Sequence, residues 1–316
     1  MAQNTPDDRI SALIAELEDL KKHNDAVVLA HYYVAPEVQA AADYVGDSFY
    51  LAKLAVELPQ KTIVLAGVEF MGESVKLLNP SKTVLLPEPQ ADCPMAHMVQ
   101  KMTVDAARAQ YGEDLAVACY VNSTVEIKSW SDVCVTSSNA VKIVSELPQR
   151  NVLFIPDKNL GRYVAEQVPN KNIILNDGCC PRHDEVSLDE LRELKAAHPA
   201  AAVLAHPECT EEVLAEADYV GSTSGIIAYA EKSAAKEFIV VTVRGVLYEL
   251  EQRCAGQGKR FYVTKTPQTC ADMDSVTLEK IVSCLKTGEG EVALPPAEQA
   301  ARAKLVLDRM LEYAAR

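Results

Sequence analysis

Nine cysteines are the residues of this sequence best suited to metal or redox chemistry. None belongs to a Cys-x-x-Cys pair of the kind that binds structural zinc, and the one close pair is Cys179 with Cys180. Cys93, Cys180 and Cys270 are separated by 87 and 90 residues, the period of a repeat that runs through the chain. We expect these three to be metal ligands, and the other six to be small buried hydrophobic residues.

Three converging thiolates leave a structural zinc site one ligand short, whereas they can hold three irons of a 4Fe-4S cluster and leave one iron open. An open iron is a Lewis acid that binds and polarises a carboxylate, hydroxyl or carbonyl oxygen, as dehydrations require. The sequence has no Cys-x-x-x-Cys-x-x-Cys run, so it gives no support to radical chemistry with S-adenosylmethionine. The spacing therefore predicts one cluster per chain with three cysteine ligands.

The elements that must position these thiols recur three times. Each copy has an apolar run and, 16 residues after the end of that run, a small polar cluster. The runs end at His31, Tyr120 and His206, and the clusters begin at Asp47, Thr136 and Ser222. Two further apolar runs follow in each copy, separated by helical patterns. A fixed spacing in three copies indicates a structural repeat, and this alternation predicts parallel sheets with helices on both faces.

We therefore predict an α/β fold of three homologous three-layer α/β/α domains, whose small parallel sheets are arranged about a pseudo-threefold axis. The predicted boundaries are an N-terminal helix over 1–24, repeats over 25–112, 113–198 and 199–290, and a C-terminal helix over 291–316. Ligands of such sheets gather at the carboxyl ends of the strands. A common axis would bring the strand-end loops of all three repeats to one cavity.

The charge of the chain limits the classes of partner. A formal net charge of −14 disfavours nucleic acid and anionic membranes, since both reward clustered Lys and Arg. The sequence has no apolar run of about eighteen residues and no signal-peptide pattern, which favours a cytoplasmic location. An anionic substrate would need local positive potential from a metal, helix N-termini or a few cations.

Short segments along the chain resemble motifs of the quinolinate synthase family, and they occur in the order in which that family has them. They are His31-Tyr32-Tyr33, Gly46-Asp47-Ser48, Gly67-Val68-Glu69, Tyr120-Val121-Asn122-Ser123, Thr136-Ser137-Ser138-Asn139, Gly178-Cys179-Cys180 with His183, His206-Pro207-Glu208, Gly221-Ser222-Thr223 and Cys270-Ala271-Asp272-Met273. The match extends from about residue 25 to residue 290. Jointly these motifs are highly specific, although each alone is weak.

The resemblance implies an enzyme of NAD biosynthesis that condenses iminosuccinate with dihydroxyacetone phosphate to quinolinate, with loss of phosphate and two waters. It also implies a 4Fe-4S cluster held by only three cysteines, in agreement with the spacing of Cys93, Cys180 and Cys270. The implied partners are these two small molecules, together with a functional contact to the enzyme that supplies iminosuccinate. The alternatives are another open-iron hydro-lyase and a non-enzymatic iron–sulfur redox sensor.

The resemblance further implies roles for individual side chains. Glu208 is the expected general base, His206 the second catalytic group, and Tyr33 a participant in isomerisation of the triose. The expected substrate-binding residues are His31, Ser48, Tyr120, Asn122, Ser137, His206, Glu208, Ser222 and Thr223. The serine and threonine positions open helical patterns, so each is either an anion-binding group or an ordinary helix cap.

Three departures from the family pattern accompany the resemblance. Asn176 stands near a position where many members carry tryptophan, and Val243 replaces a glutamate usual after Thr242. The segment before Cys270 lacks the extra cysteines with which some relatives form a disulfide, so that switch is predicted to be absent. Cys179 is a possible substitute ligand, but the Gly-x-Cys-x-x-His spacing favours Cys180.

Overall fold

The computed structural model describes residues 6–266 and 268–316. Residues 1–5 of the predicted N-terminal segment, and Pro267 of the segment before Cys270, lie outside the described residues. The described chain forms three four-stranded sheets in which every paired strand is parallel. This confirms the predicted α/β class and its three α/β/α units, while their arrangement about one axis stays a prediction.

Helix α1 (Pro6–His23) precedes the first sheet. The first repeat then contains β1 (Ala26–His31), α2 (Pro36–Ala41), β2 (Tyr44–Gly46), α3 (Ser48–Glu57), β3 (Thr62–Ala66), α4 (Glu69–Leu78) and β4 (Thr83–Leu85). Helix α5 (Lys101–Tyr111) leads to the second repeat, which contains β5 (Leu115–Tyr120), α6 (Val125–Ser129), β6 (Val133–Val135), α7 (Ala140–Glu146), β7 (Asn151–Ile155), α8 (Lys158–Gln167) and β8 (Asn172–Leu175). Short 3₁₀ helices flank α5 at Pro94–His97 and Gly112–Asp114.

The third repeat follows α9 (Pro181–Asp184) and α10 (Leu188–Ala197). It contains β9 (Ala202–Ala205), α11 (Glu211–Leu214), β10 (Tyr219–Val220), α12 (Thr223–Lys232), β11 (Glu237–Val241), α13 (Val246–Arg253) and β12 (Arg260–Tyr262). The chain ends with α14 (Ala271–Asp274), α15 (Leu278–Thr287) and α16 (Ala297–Ala315). No helix of the described residues is long and apolar enough to cross a membrane.

All three sheets have the same strand order. The first strand of each repeat lies between the second and the third, giving β2-β1-β3-β4, β6-β5-β7-β8 and β10-β9-β11-β12. Every residue of β1 and β5 is buried, as expected for strands covered by helices on both faces. In this order the connections leave the first and third strands in opposite directions, and in open α/β sheets the crevice at such a point, at the carboxyl ends of the strands, is the usual ligand site.

In each repeat, one aspartate just before the second strand makes the same two hydrogen bonds with the first strand. The Val28 main-chain N–H donates to the Asp43 carboxylate at 2.8 Å, and the Asp43 N–H donates back to the Val28 carbonyl at 3.0 Å. The same reciprocal pair joins Val117 to Asp132 at 2.7 and 2.9 Å, and Val203 to Asp218 at 2.8 and 2.9 Å. The sequence repeat is therefore also a repeat of hydrogen bonds.

The chain divides into two compact units. One comprises residues 1–93 and 271–300, in which α1 packs on α15 beside the first sheet. The other comprises residues 94–270 and 301–316 and contains the second and third sheets. The third sheet has a core of its own, formed by Leu191, Val203, Ala205, Cys209, Val213, Ile239 and Val241.

Candidate active site

The loops that carry the three repeat-related cysteines are built alike. In each repeat a main-chain N–H from the loop after the third strand donates to the carbonyl two residues before the cysteine. These bonds are Glu69 to Ala91 at 2.9 Å, Lys158 to Gly178 at 2.7 Å and Arg244 to Gln268 at 2.9 Å. Each cysteine then directly precedes a short helix, at Pro94–His97, Pro181–Asp184 or Ala271–Asp274. Cys93, Cys180 and Cys270 therefore occupy equivalent positions within their own repeats.

Exposure separates these three cysteines from most of the others. Cys93, Cys180 and Cys270 are each half-buried, whereas Cys119, Cys134, Cys209, Cys254 and Cys284 are buried. Cys179 is also half-buried, but burial and the neighbouring Asp184 carboxylate raise the pKa of its thiol to about 11. Since the thiolate is the form that binds metal, this raised pKa makes Cys179 a poor candidate ligand.

Glu208 lies at the centre of a buried polar cluster in the second unit. The Tyr120 hydroxyl donates to Glu208 Oε1 at 2.5 Å, and His183 Nδ1 lies 2.7 Å from Glu208 Oε2. His206 stacks on His183 with ring centroids 4.8 Å apart, and its Nδ1 is 3.8 Å from Oε2. These four side chains come from β5, α9 and the loop after β9, so the cluster joins the second repeat to the third.

The charge state of Glu208 follows from these neighbours. Burial alone would raise the pKa of the carboxyl, but the nearby His206 and His183 and the hydrogen bonds from His183 and Tyr120 outweigh burial and hold that pKa well below its usual range. Glu208 is therefore an ionised carboxylate, able to accept a proton and unable to donate one near neutral pH.

The two histidines that end first strands have the same local geometry. The His206 Nδ1 atom accepts the main-chain N–H of Glu208 at 3.4 Å, and the His31 Nδ1 atom accepts that of Tyr33 at 3.2 Å. In a neutral ring the proton then resides on Nε2. For His206 this atom lies 3.2 Å from the Ser137 hydroxyl. Each of these two rings is thus oriented by the main-chain N–H of the residue two positions later.

The serine and threonine positions divide between capping and other roles. Ser222 is the N-cap of α12 and accepts the Gly225 N–H at 3.2 Å, so the ordinary capping interpretation holds for it. Asp47 caps α3, which leaves Ser48 as the first residue of that helix, and Thr223 is the first residue of α12. Ser137 does not cap α7, because Asn139 occupies that position.

Cys180, His183 and Glu208 form a group that could hold a metal ion, since one potential ligand atom from each lies within 4.8 Å of the others. Cys180 and Glu208 were predicted site residues, and His183 was noted as part of the family motif that contains Cys180. The structure thus brings together Tyr120, Ser137, Cys180, His206 and Glu208 in the second unit. His31 and Tyr33 lie together in the first unit.

Three buried residues of this cluster were missed by the sequence analysis as site residues. Thr242 Oγ1 lies 2.9 Å from His183 Nε2. The Asn159 side-chain amide donates to the Glu208 carbonyl at 3.0 Å and to Asp184 Oδ1 at 2.9 Å. Asp157 caps α8 and accepts the Cys180 N–H at 3.3 Å. All three follow the third strand of a repeat, and that position was the signal available in the sequence.

The departures at Asn176 and Val243 have structural explanations. The Asn176 side chain donates at 2.8 Å to the carbonyls of both Met98 and Pro156, so it ties down the segment that leads to Cys180. Val243 is buried, with 3% of its surface exposed, where a glutamate would have to lose its hydration.

Comparison with known proteins gives the family. The model of the family described as "Quinolinate synthetase A protein" matches residues 15–312. The chain belongs to this family. It is 51% identical over 298 residues to the quinolinate synthase of Fusobacterium nucleatum, covering 94% of this chain and 98% of that protein. It is 45% identical over 303 residues to the quinolinate synthase of Caldicellulosiruptor bescii (96% and 99%), and 43% identical over 305 residues to quinolinate synthase 2 of Methanosarcina acetivorans (96% and 96%).

Membership of this family confirms the resemblance drawn from the short motifs, and the three parallel sheets confirm the fold class. The similarity extends beyond the motifs to nearly the whole of both chains, so it includes the helices at either end.

Proposed function

We propose that this chain is a quinolinate synthase, which condenses iminosuccinate with dihydroxyacetone phosphate to form quinolinate in NAD biosynthesis. Phosphate and two waters are released. The family match supports the reaction, and the buried Glu208 carboxylate with its three aromatic neighbours is the observation that carries the mechanism. Neither alternative function, another hydro-lyase or a redox sensor, is favoured by the relatives of the chain.

We propose Cys93, Cys180 and Cys270 as the ligands of one 4Fe-4S cluster. Their half-buried thiols and their equivalent loops fit a group that each repeat contacts once, whereas the buried cysteines do not. When bound, the cluster supplies a Lewis-acidic iron that polarises an oxygen of the substrate. The cytoplasm is the proposed compartment, since thiols are kept reduced there.

Glu208 is the proposed general base. Its carboxylate is held by the Tyr120 hydroxyl on one oxygen and by His183 on the other, so it faces the substrate ionised and oriented. Bringing an anionic substrate next to a carboxylate raises the pKa of that carboxylate. Substrate binding therefore increases the basicity of Glu208 at the moment when a proton has to be removed.

The other side chains bind and orient the two anions. His206 presents Nε2–H beside the Ser137 hydroxyl, which together form a donor pair for a substrate carboxylate. The ten-residue helices α3 and α12 begin at Ser48 and Thr223, where main-chain N–H groups favour phosphate or carboxylate. His31, Asn122 and Ser222 stay proposed contacts, and Tyr33, beside His31, stays proposed for triose isomerisation.

The test uses anaerobically purified protein and measures iron, sulfide and quinolinate formation from the two substrates. We expect Cys93→Ala, Cys180→Ala and Cys270→Ala each to lose the cluster, and Cys179→Ala to keep it. Glu208→Gln should keep iron and lose activity by at least about a hundredfold, the usual contribution of general base catalysis. Wild type that binds zinc instead of iron, or acts without dihydroxyacetone phosphate, would refute the proposal.

An enzyme that supplies iminosuccinate is the proposed macromolecular partner, because the substrate must come from another reaction. At limiting iminosuccinate, adding the supplying enzyme should raise the rate of quinolinate formation more than adding, as free substrate, the quantity of iminosuccinate that this enzyme produces.

A further inference from the structure

Two buried cysteines of the second sheet lie side by side. Cys119 of β5 is in register with Cys134 of β6, and both residues have 0% of their surface exposed. Neighbouring strands are about 4.8 Å apart, and in-register residues of a parallel pair direct their side chains to the same face. A disulfide can join two cysteines whose Cα atoms are about 4.4–6.8 Å apart. The register therefore holds these two thiols at a spacing that a disulfide can bridge.

A buried cation lies beside this pair. Lys128 has 0% of its surface exposed, and its ammonium donates to the Ser123 carbonyl at 2.5 Å. Burial raises the pKa of the Cys119 thiol, but hydrogen bonds from Cys134 and Ser123 lower it. Together with the charge of Lys128 they outweigh burial and bring that pKa to about 7. In its thiol form Cys119 donates to the Tyr120 carbonyl at 3.4 Å, and near neutral pH part of the molecules carry the thiolate.

The other buried thiols are less acidic. Burial and the neighbouring Cys119 raise the pKa of Cys134 well above its usual value. Burial also raises the pKa of Cys209, of Cys254 and, to about 12, of Cys284. Since the thiolate is the nucleophile, Cys119 is the reactive member of this group, and Cys134 is the thiol placed to react with it next.

We propose that Cys119 and Cys134 are a modification site, at which a hydroperoxide oxidises the two thiols to a disulfide that holds the edge strand β6 on β5. The Cys119 sulfur attacks one peroxide oxygen and breaks the O–O bond. The departing oxygen takes the proton that Cys119 lost, which gives water or an alcohol and leaves a sulfenic acid. Cys134 then attacks the Cys119 sulfur, the S–O bond breaks, and the hydroxyl leaves with the Cys134 proton as water. The two thiols lose two electrons, and the peroxide gains them.

The position of β6 allows a small oxidant to enter. This strand lies at the edge of its sheet and has only three residues, so few hydrogen bonds have to open to admit a peroxide of nearly the size of water. The Cβ atoms of a disulfide are about 3.8 Å apart, so bond formation draws the two strand ends together by about 1 Å. Those ends lead to Tyr120 and Ser137, and any effect on catalysis rests on the proposed function, in which both bind substrate.

The test uses the full-length iron-free chain, reduced and then exposed to a small excess of hydrogen peroxide. Free thiols are blocked with iodoacetamide in denaturant before digestion, which prevents exchange between sulfurs. Trypsin cleaves after Lys128, so it separates a peptide of residues 109–128, with Cys119, from a peptide of residues 129–142, with Cys134. We expect mass spectrometry to find these two peptides joined, two hydrogens lighter than their sum, and separate again after treatment with dithiothreitol.

Single substitutions identify the part that each sulfur plays. In Cys134→Ala the sulfenic acid on Cys119 loses its partner thiol, so dimedone should trap it on the 109–128 peptide. In Cys119→Ala the Cys134 thiol should stay reduced. Cys254→Ala is the matched control, because it removes a buried thiol of the same unit whose pKa is raised, and it should form the same cross-link as wild type.

Hydrogen exchange on the same samples measures the effect on the sheet. A cross-link between β5 and β6 restricts the local opening of the edge strand. We therefore expect the main-chain amides of residues 133–135 to exchange at least about tenfold more slowly after oxidation of wild type. In Cys134→Ala the same treatment should leave their exchange unchanged.

A wild-type chain without the cross-link overturns the proposal, and so does oxidation of Cys209, Cys254 and Cys284 as fast as that of Cys119. A cross-linked chain whose β6 amides exchange at the original rate overturns it as well. Because these measurements use neither substrate nor bound iron, a chain that forms no quinolinate would refute the proposed function and leave this proposal intact.

Discussion

Replacement of Tyr120 by phenylalanine tests the buried carboxylate most directly. The change removes one hydroxyl, which donates to Glu208 Oε1 at 2.5 Å, and leaves the ring in place. Tyr120 and Glu208 have only 5% and 3% of their surfaces exposed, so no bulk water replaces the lost donor. A hydrogen bond to a charged buried group contributes about 1.5–3 kcal/mol, and we expect the free energy of unfolding to fall by this amount near neutral pH.

The direction in which the Glu208 pKa is shifted determines how the effect of Tyr120→Phe on stability depends on pH. Because that pKa is lowered in the folded protein, the carboxylate stabilises the fold above its unfolded pKa, and this contribution is lost as the pH falls toward the folded value. The difference in the free energy of unfolding between wild type and Tyr120→Phe should therefore have its full value at neutral pH and decrease only in strong acid.

Urea unfolding of the iron-free chain measures this difference. The single tryptophan, Trp130, directly follows α6 in the same unit as Tyr120, so its fluorescence follows unfolding of the relevant part of the chain. Tyr111→Phe is the matched control, since Tyr111 is a half-exposed residue at the end of α5 in that unit. If Tyr120→Phe shifts the midpoint no more than Tyr111→Phe does, the Tyr120 hydroxyl does not stabilise the Glu208 carboxylate.

Two further substitutions test how the repeats position the site. Asp132→Asn weakens the charged hydrogen bond to the Val117 N–H, so urea unfolding should show the second unit destabilised by about 1–3 kcal/mol. The control Asp177→Asn, at an exposed loop position, should change the free energy of unfolding little. Equal effects of the two substitutions would contradict the role of the reciprocal pair. A Cβ on Gly178 would lie 2.6 Å from the Pro156 carbonyl oxygen, so Gly178→Ala should cost about 1–3 kcal/mol and lower bound iron, while Asp177→Ala keeps iron. Full iron content in Gly178→Ala would show that the loop does not depend on this close approach.

Regular spacing made much of the fold predictable. The 16-residue interval from the end of the first strand to the polar cluster reflects a fixed loop, helix and edge strand, and the reciprocal aspartate pairs show the hydrogen bonds that fix it. Cys93, Cys180 and Cys270 were selected by the same periodicity. Their equivalent loops are observed, while their joint binding of a cluster stays a prediction.

The contacts around His183 could not be predicted in this way. Periodicity relates equivalent positions, but Thr242 with His183, and Asn159 with Glu208, are contacts between positions that are not equivalent, formed because two different repeats pack together. Such contacts depend on side-chain packing between sheets, for which one sequence carries no periodic signal. Ser222 shows a second limit of prediction from sequence. Its position at the start of a helical pattern fits both substrate binding and an ordinary helix cap, and in the structure it is a helix cap.

The carbonyl two residues before each of the three cysteines is anchored by a main-chain hydrogen bond, and the short chain between this anchor and the thiol has a fixed length. The chain advances by at most about 3.6 Å for each residue, so one residue inserted between the anchored carbonyl and the thiol would displace the sulfur by more than the length of a metal–sulfur bond. Insertions and deletions should thus be excluded from these three short intervals during evolution. Turns such as the one that contains Gly256 and Gly258 lie apart from the anchors and can vary in length without moving a ligand.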